Sequence, residues 1–328
     1  MRKNERAAKV IHPYLIGDEL LSNDGGCPSR YVIDVNHCED ITALGAYGPA
    51  FERLKESVLP AMQKLAEGER RTLGKKIGPR QTHFRRWWKF WRARAKCIKA
   101  ISELPRYVVC ARVTKRPIFE FVSHDIHPND ALNVFVVADD YSFGILQSGL
   151  HWLWFKERCS TLKGDFRYTS DTVFDTFAWP QSPTLKQINA VVVAARELRN
   201  LRHEIMQERG WPLRELYKSL ETPGENRLRD AHATLDAAVR AAYGMKPAED
   251  ILAFLLKLNL ELADKETKGE VIMPPGLPAF VKDPKTFISE DSVSVDKPKT
   301  KDTSTAESAA AAAKFHSLHE EPTPYGKK

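Results

Sequence analysis

Long apolar stretches are absent from this sequence. No run approaches the ~20 consecutive apolar residues that a membrane helix needs, and the first residues, Met1 to Arg6, lead into no apolar signal-peptide core. Hydrophobic residues make up 42% and charged residues 28% of the 328 positions, which is typical of a soluble globular protein with room for two domains. We therefore expect a cytoplasmic protein with no membrane partner.

Cysteine is scarce, and its positions are widely separated. The number is odd and no two cysteines are close in sequence, which excludes a disulfide framework and a Cys-x-x-Cys metal site. We expect reduced and mostly buried thiols. The five positions are Cys27, Cys38, Cys97, Cys110 and Cys159.

Acidic residues are missing from positions 70–99, which hold twelve Lys or Arg residues. This local excess is larger than the net charge of +7 of the whole chain. Phosphate neutralisation supplies much of non-specific nucleic-acid binding, so a polyanion such as nucleic acid is a natural partner.

Aromatic and basic residues alternate at the centre of this basic segment, in His83-Phe-Arg-Arg-Trp-Trp-Lys-Phe-Trp-Arg92. We predict phosphate contacts from Arg85 and Arg86. The neighbouring Trp87 and Trp88 could stack on bases, or they could anchor a core, since large aromatic side chains are buried on average. The sequence leaves both interpretations of the tryptophans open.

Periodicity predicts an α+β fold with a small mixed, largely antiparallel sheet followed by a helical C-terminal domain. The strands are rich in β-branched and aromatic residues, and the Thr184 and Gln187 pair fits a capping box at a helix start. We predict strands at 30–34, 106–113, 118–122 and 132–138, and helices at 50–60 (ended by Pro60), about 143–154, 184–210, 226–243 and 247–262. From residue 267 to 328 the low apolar content predicts a disordered, low-complexity tail.

A short charged loop precedes an aromatic-rich run over residues 159–180. Lys163 can donate to guanine O6 or N7 and Asp165 can accept from cytosine N4, so the two could read one base pair. The loop is also consistent with a solvated turn, and on the loop residues by themselves we favour the turn.

A second cluster, His124-Asp-Ile-His-Pro-Asn-Asp130, contains residue types that ligate metals in hydrolases. No second group of histidine and carboxylate residues follows at a sequence spacing typical of a metal site. Asp, Asn and Pro are also the residues of turns between strands, and we favour that interpretation.

Five ordered motifs resemble the C-terminal part of MmeI-like type II restriction-modification enzymes and adenine-specific DNA methyltransferases. The likeness extends over residues 10–265. The motifs are Leu104-Pro-Arg-Tyr107, Tyr141-Ser-Phe-Gly-Ile-Leu146, Leu162-Lys-Gly-Asp-Phe-Arg-Tyr168, Phe177-Ala-Trp-Pro180, and Arg229-Asp-Ala-His-Ala-Thr-Leu-Asp236 followed by Ala242-Tyr-Gly244.

The resemblance implies a domain order and a site. Residues 1–103 would be a mixed α/β approach segment, 104–182 the core of a DNA target recognition domain, 183–266 a helical domain, and 267–328 the tail. The base-reading pair of that family falls on Lys163 and Asp165, which changes our preference for this loop from a turn to base contact. Further contacts to double-stranded DNA are expected from the basic and aromatic residues nearby, which are Arg85, Arg86, Trp87, Trp88, Arg112, Lys115, Arg116, Arg167 and Tyr168.

The motifs of the family's chemistry are missing. An amino-methyltransferase uses an Asn/Asp-Pro-Pro-aromatic motif to hold a flipped base. In Met273-Pro-Pro-Gly276 the position before Pro-Pro is not Asn or Asp and the position after it is not aromatic. A glycine-rich cofactor turn and a nuclease carboxylate-lysine cluster are missing too. We therefore expect no catalytic residue, no metal site and no cofactor in this chain. S-adenosylmethionine would belong to a full-length relative or to a separate methyltransferase or nuclease polypeptide, with this chain a specificity subunit, a split-gene product or a truncated remnant.

The sequence thus favours a sequence-specific reader of double-stranded DNA. Two alternatives are a non-specific binder of single-stranded nucleic acid, based on the tryptophan and arginine segment, and a metal-dependent hydrolase, based on His124, Asp125 and His127. Whether the chain is an enzyme stays open at this stage.

Overall fold

The protein is described here by a computed structural model covering residues 4–162, 165–246 and 248–295. Helices and small sheets alternate in its first half, and helices dominate its second half. The helices are α1 Glu5–Ala8, α2 Gly17–Ser22, α3 Pro49–Ser57, α4 Leu59–Leu73, α5 Pro79–Phe84, α6 Ala95–Ser102, α7 Asp140–Gln147, α8 Gly149–Arg158, α9 Leu185–Arg209, α10 Leu213–Lys218, α11 Arg227–Ala242 and α12 Ile251–Thr267. The strands are β1 Ile11–Leu15, β2 Arg30–Ile33, β3 Arg106–Ala111, β4 Glu120–Ser123, β5 His127–Pro128, β6 Leu132–Phe135, β7 Ser160–Leu162 and β8 Asp165–Arg167.

The strands form small, mostly antiparallel sheets. One has the order β2-β1-β5, in which β1 and β5 are parallel, and the other has the order β4-β3-β6 with both pairs antiparallel. A two-stranded hairpin of β7 and β8 is antiparallel as well. These sheets confirm the predicted α+β class.

All six residues of strand β3 are buried. Successive side chains of a strand point to opposite faces of the sheet, so both faces of β3 are covered. Val108 and Cys110 belong to a large core with helices α7, α8, α9 and α11, whereas Tyr107 and Val109 belong to a smaller core with Leu15 and Leu20. One face of this sheet and the C-terminal helices therefore share the large core, and the other face lies in the smaller core. The domain limits at residues 103, 182 and 266 stay predictions.

Close backbone contacts hold the helices against each other. A Cβ atom at Gly144 of α7 would lie 2.6 Å from Val191 of α9, and one at Gly149 of α8 would lie 2.6 Å from the Asp236 carboxylate of α11. That carboxylate accepts a hydrogen bond from the Gly149 amide at 2.6 Å. Two of the motif positions found in the sequence, Gly144 and Asp236, thus serve helix packing.

Several local predictions are confirmed and others are wrong. The capping box of Thr184 and Gln187 is present at the start of α9, which ends at Gly210 in a left-handed conformation. Pro60 does not end a helix but lies in the first turn of α4, where its missing amide hydrogen costs nothing. The single helix expected at 143–154 is two helices that join at Ser148, and the apolar stripe continues across the break.

The folded chain extends further than the sequence indicated. We expected disorder from residue 267, but residues 284–295 pack onto the sheet, and Val293 forms a bridge with Val122 of β4. Ion pairs to arginine fix this segment, a tertiary interaction that a composition argument cannot detect. Within the described residues, none of the helices is both long and apolar enough to cross a membrane.

Candidate nucleic-acid interface

The β7 and β8 hairpin contains the predicted base-reading loop. Its strands pair Ser160 with Arg167, Thr161 with Phe166 and Leu162 with Asp165. Asp165 is therefore the first residue of β8, directly at the loop. Lys163 lies outside the described residues, so its predicted contact stays a prediction.

Backbone hydrogen bonds fix this hairpin to the sheet. The Thr114 amide donates to the Phe166 carbonyl at 2.9 Å, and the Tyr168 amide donates to the Arg112 carbonyl at 2.8 Å. The chain that continues from β3 is therefore hydrogen-bonded to β8, with Val113 opposite Arg167. The loop between β7 and β8 is therefore carried by strands that are hydrogen-bonded to each other and to the chain that follows β3.

Tyr168 follows β8 and is buried in the large core, so its side chain is not available to DNA, contrary to our prediction. Its side chain is 1% exposed and stacks on Phe155 at 5.6 Å between ring centres. The hydroxyl lies 3.1 Å from His151 Nε2. Burial holds the pKa of His151 at about 4, so this imidazole is neutral at pH 7. Aromatic residues in strands are often core residues, and the sequence pattern alone did not separate this one from a surface residue.

The predicted cations beside the hairpin do not share one environment. Lys115 is exposed, whereas Arg112 and Arg167 are half-buried. Burial, followed by the charges of Arg94 and Arg167, lowers the pKa of Arg112, and the Asp130 carboxylate raises it. The structure thus brings Arg112 and Arg167 together on paired segments of backbone. The charge of Arg94, which the sequence analysis did not single out, also acts on Arg112.

Arg116 faces the helices instead of the hairpin surface. Its guanidinium lies 4.6 Å from the centre of the Trp152 ring and 5.6 Å from that of Tyr217. Burial lowers its pKa, while the nearby Tyr217 and Asp236 raise it. A guanidinium enclosed by two rings is a packing element, so the predicted DNA contact of Arg116 is not supported by its position.

The tryptophans of the basic segment divide into two groups. Trp87 and Trp88 are 6% and 7% exposed, and Trp88 Nε1 donates to the Cys38 carbonyl at 3.0 Å. They belong to the core of the N-terminal part, which corrects their assignment as stacking residues. Trp91 is 56% exposed, and its ring contacts His83 at 4.9 Å. The exposed indole of the segment is therefore Trp91.

Arg85 and Arg86 are both exposed, in agreement with the surface position that a phosphate contact requires. Arg86 lies 3.7 Å from Glu39, a carboxylate that also binds Lys89 at 2.6 Å. Glu39 comes from outside the acid-free segment and neutralises part of it. Within the described residues Arg85 forms no ion pair.

The histidine and aspartate cluster does not form a metal site among the described residues. His124 Nδ1 lies 3.1 Å from the Pro105 carbonyl. His127 stacks on His12 with 3.9 Å between ring centres and lies 3.6 Å from Asp34. The residues that the hydrolase alternative would use as metal ligands thus make separate turn and sheet contacts.

Comparison with known proteins agrees with this architecture. Residues 97–181 match the family model "MmeI, target recognition domain". The chain is also similar to DNA methyltransferase A of Bacillus subtilis (strain 168), with 36% identity over 131 residues, which is 39% of this chain and 14% of the relative. This chain therefore matches only a small part of that protein.

A solved structure shows the same fold. The structure of the type IIL restriction-modification enzyme MmeI in complex with DNA matches 80% of this chain and 32% of its own, with a TM-score of 0.59 and 22% identity. The resemblance found in the sequence motifs is confirmed by these matches. The sheet β4-β3-β6, the helices α7 and α8 and the β7 and β8 hairpin all lie within the matched range. Residues 97–181 of this chain therefore resemble a target recognition domain of the MmeI type.

Proposed function

We propose that this chain binds double-stranded DNA and supplies sequence recognition for an adenine-specific methyltransferase or restriction-modification system. The observation that carries the proposal is the match of residues 97–181 to a target recognition domain. The similar proteins also support a role at DNA, because one is a DNA methyltransferase and the other is a restriction-modification enzyme solved with DNA.

Base reading is assigned to the loop between β7 and β8. Strand β8 is hydrogen-bonded to the chain that follows β3, and the buried Tyr168 fixes its end. A rigid support favours specificity, since a base edge is distinguished only when the donors and acceptors are held in place. Lys163 and Asp165 remain our candidates for a C·G pair.

Phosphate contact is assigned to the cations around this hairpin and on the basic segment. Such contacts fix the register of a protein on the duplex without reading sequence. We retain Arg85, Arg86, Arg112, Lys115 and Arg167 for this role. The buried Trp87, Trp88 and Tyr168 and the enclosed Arg116 are withdrawn from it.

We further propose that the residues of this chain have no methyl-transfer chemistry of their own and that S-adenosylmethionine is bound by a partner polypeptide or by the methyltransferase part of a full-length relative. The missing Asn/Asp-Pro-Pro-aromatic motif supports this proposal. Labelled S-adenosylmethionine and duplex DNA incubated with the purified chain should give no transfer above background. Transfer by the purified chain would refute this part of the proposal and leave DNA recognition intact.

Competition binding tests the recognition function. A randomised duplex library is enriched on the immobilised chain, and the selected duplex then competes at fixed salt against a scrambled duplex of equal length and base composition. A specific reader should prefer the selected duplex by roughly 10³-fold or more. Equal competition by the scrambled duplex would contradict the proposal. Stronger competition by single strands would favour the alternative binder built on the exposed Trp91.

A further inference from the structure

Trp91 is the tryptophan of the basic segment that core packing does not explain. It is 56% exposed, whereas Trp87 and Trp88 are buried in the core of the N-terminal part. Phe90, next to Trp91 in sequence, is exposed as well. Large aromatic side chains are buried on average, so two exposed rings side by side indicate a role other than packing.

Hydrogen bonds hold the turn that carries Trp91 to the loop after β2. Trp88 Nε1 donates to the Cys38 carbonyl at 3.0 Å, and the Phe90 amide donates to the Asn36 side chain at 2.8 Å. The backbone on the N-terminal side of Trp91 is therefore fixed at two points. The exposed indole extends from an anchored turn.

His83 supports the indole ring itself. Its Nε2 donates to the Lys89 carbonyl at 2.9 Å, and its ring lies edge-on to the Trp91 ring, with 4.9 Å between ring centres and 66° between the planes. This contact restricts the ring on one side and leaves more than half of Trp91 accessible. A side chain that is already ordered loses little conformational entropy on binding.

The charge around Trp91 indicates the kind of partner. Arg85 and Arg92 are exposed, and the segment that carries them has no acidic residue of its own. Glu39 comes from outside the segment and pairs with Arg86 and Lys89. An aromatic ring among cations fits a nucleic-acid base that is flanked by phosphates, because the ring stacks on the base while the cations attract the phosphates.

The proposed function defines which base is free to stack. In an intact duplex the neighbouring pairs cover both faces of an internal base. An enzyme that methylates adenine takes the base out of the stack, which leaves bases with an uncovered face at that position. A recognition chain that works with such an enzyme therefore meets a locally opened duplex.

We propose that Trp91 stacks on a DNA base at a position where the bound duplex is opened, and that His83 positions the indole for this contact. This inference rests on the proposed function and deepens it, since it adds an uncharged contact to a base face outside the β7 and β8 hairpin. Stacking tolerates any base, because every base has a flat face. The contact therefore contributes affinity and does not select sequence.

The test uses Trp91→Ala and Trp91→Phe in the full chain. Phenylalanine keeps an aromatic face, and alanine removes it. Phe280→Ala is the matched control, because Phe280 is an aromatic residue with 52% exposure outside the basic segment. Arg85→Ala is the control for a phosphate contact.

Affinity for the selected duplex is measured over a range of chloride concentrations. Trp91→Ala should bind roughly 5- to 150-fold more weakly, which is the usual loss for one stacked base. Its slope of log K against log salt should be unchanged, whereas Arg85→Ala should reduce that slope by about 1. Trp91→Phe should keep most of the affinity, and Phe280→Ala should change neither quantity.

A fluorescent base supplies a readout that a merely structural role of Trp91 does not change. 2-Aminopurine is placed in turn at each position of the selected duplex, since its emission rises when it leaves the stack and is quenched when it stacks on an indole. At one position the complex with Trp91→Ala should emit more strongly than the complex with the unaltered chain. The same comparison with Phe280→Ala should show no difference at any position.

Three results would overturn the inference and leave the proposed function standing. Trp91→Ala could bind the duplex as tightly as the unaltered chain, it could lose affinity only together with the salt slope, or it could give unchanged 2-aminopurine emission at every position. Weaker binding of single strands alone would assign Trp91 to the single-stranded binder instead. Failure of the unaltered chain to prefer any duplex would remove the proposed function and this inference together.

Discussion

At the scale of single residues, neighbouring positions with the same chemistry have different roles. Trp88 is buried and hydrogen-bonded to the Cys38 carbonyl, whereas Trp91, three positions later, is more than half exposed. Arg116 is enclosed between Trp152 and Tyr217, whereas its neighbour Lys115 is exposed. Burial, and not residue type, decides which of these side chains can meet DNA.

Replacing Lys163 and Asp165 together with alanine should change the preferred base at one position. The loss of a bidentate or paired contact costs the original base roughly 1 to 3 kcal/mol. The measurement is a second round of duplex selection with the double variant. Selection of the same motif at all positions would show that this loop does not read the base pair.

The buried Trp88 and the exposed Trp91 should differ in how much each contributes to the free energy of unfolding. Trp88→Ala should lower the free energy of unfolding by about 3 to 5 kcal/mol, because it leaves a cavity and an unpaired carbonyl. Trp91→Ala should change it by no more than about 0.5 kcal/mol, as is usual for exposed positions. Urea denaturation followed by circular dichroism measures both. Equal losses would mean that Trp91 is a core residue.

At the scale of elements, a buried ionic network joins the sheet to the helices and the C-terminal segment. Asp140 at the start of α7 is fully buried and binds Arg106 of β3 and Arg199 of α9, each at 2.8 Å. Arg202 of α9 binds Glu120 of β4. Burying charges is costly unless they are paired, so this network requires the elements to assemble together.

Asp291 closes this network from the C-terminal segment. Its carboxylate binds Arg199 Nε at 2.8 Å and Arg106 Nη1 at 3.2 Å. Burial raises its pKa, but the hydrogen bond and charge of Arg199 outweigh that effect and hold the pKa well below its usual range. The stabilisation by this carboxylate is therefore complete above the pKa of an unfolded aspartate and is lost as the pH falls through the lower folded value.

Asp291→Ala should lower the free energy of unfolding at pH 7 by roughly 3 kcal/mol, because two buried guanidinium groups lose a partner. Glu290→Ala is the matched control, since it removes the adjacent, exposed carboxylate. Urea denaturation of both variants gives the comparison. Equal effects would show that the segment does not stabilise the fold through Asp291.

At the scale of the whole molecule, buried neutral histidines link stability to pH. Burial lowers the pKa of His127 and His151 to about 4 and that of His232 to about 3. The unfolded chain takes up protons on these side chains below about pH 6.5, whereas the folded chain does not. The free energy of unfolding therefore falls as the pH decreases from 7 towards 4.

Each of these histidines should contribute a loss of about 1.4 kcal/mol per pH unit within that window. Urea denaturation at pH 7, 6 and 5 measures the slope, and His232→Gln removes one titrating group. The variant should show a flatter dependence on pH even if its stability at pH 7 is lower. The same slope in both proteins would mean that His232 is accessible and titrates normally.

The strands and helices of the recognition fold could be predicted from the sequence, because they depend on residues that are close together in the chain. The alternation of β-branched residues at 106–111 and 132–135 fixes strands, and Thr184 with Gln187 satisfies the amides at a helix start. The ordered motifs from Leu104 to Gly244 indicated the family that the comparisons confirm for residues 97–181. These properties depend on neighbours in sequence, or on spacing that a family keeps.

Only the tertiary structure decided which side chains lie at the surface and which charges are neutralised. Trp87 and Trp88 are core residues because the segment folds against α3, and Asp291 belongs to the fold because it meets Arg199 from 92 positions away. Arg112 and Arg167 become neighbours only when β8 pairs with the chain that follows β3. Burial and charge pairing depend on contacts between distant segments, which composition and periodicity do not encode.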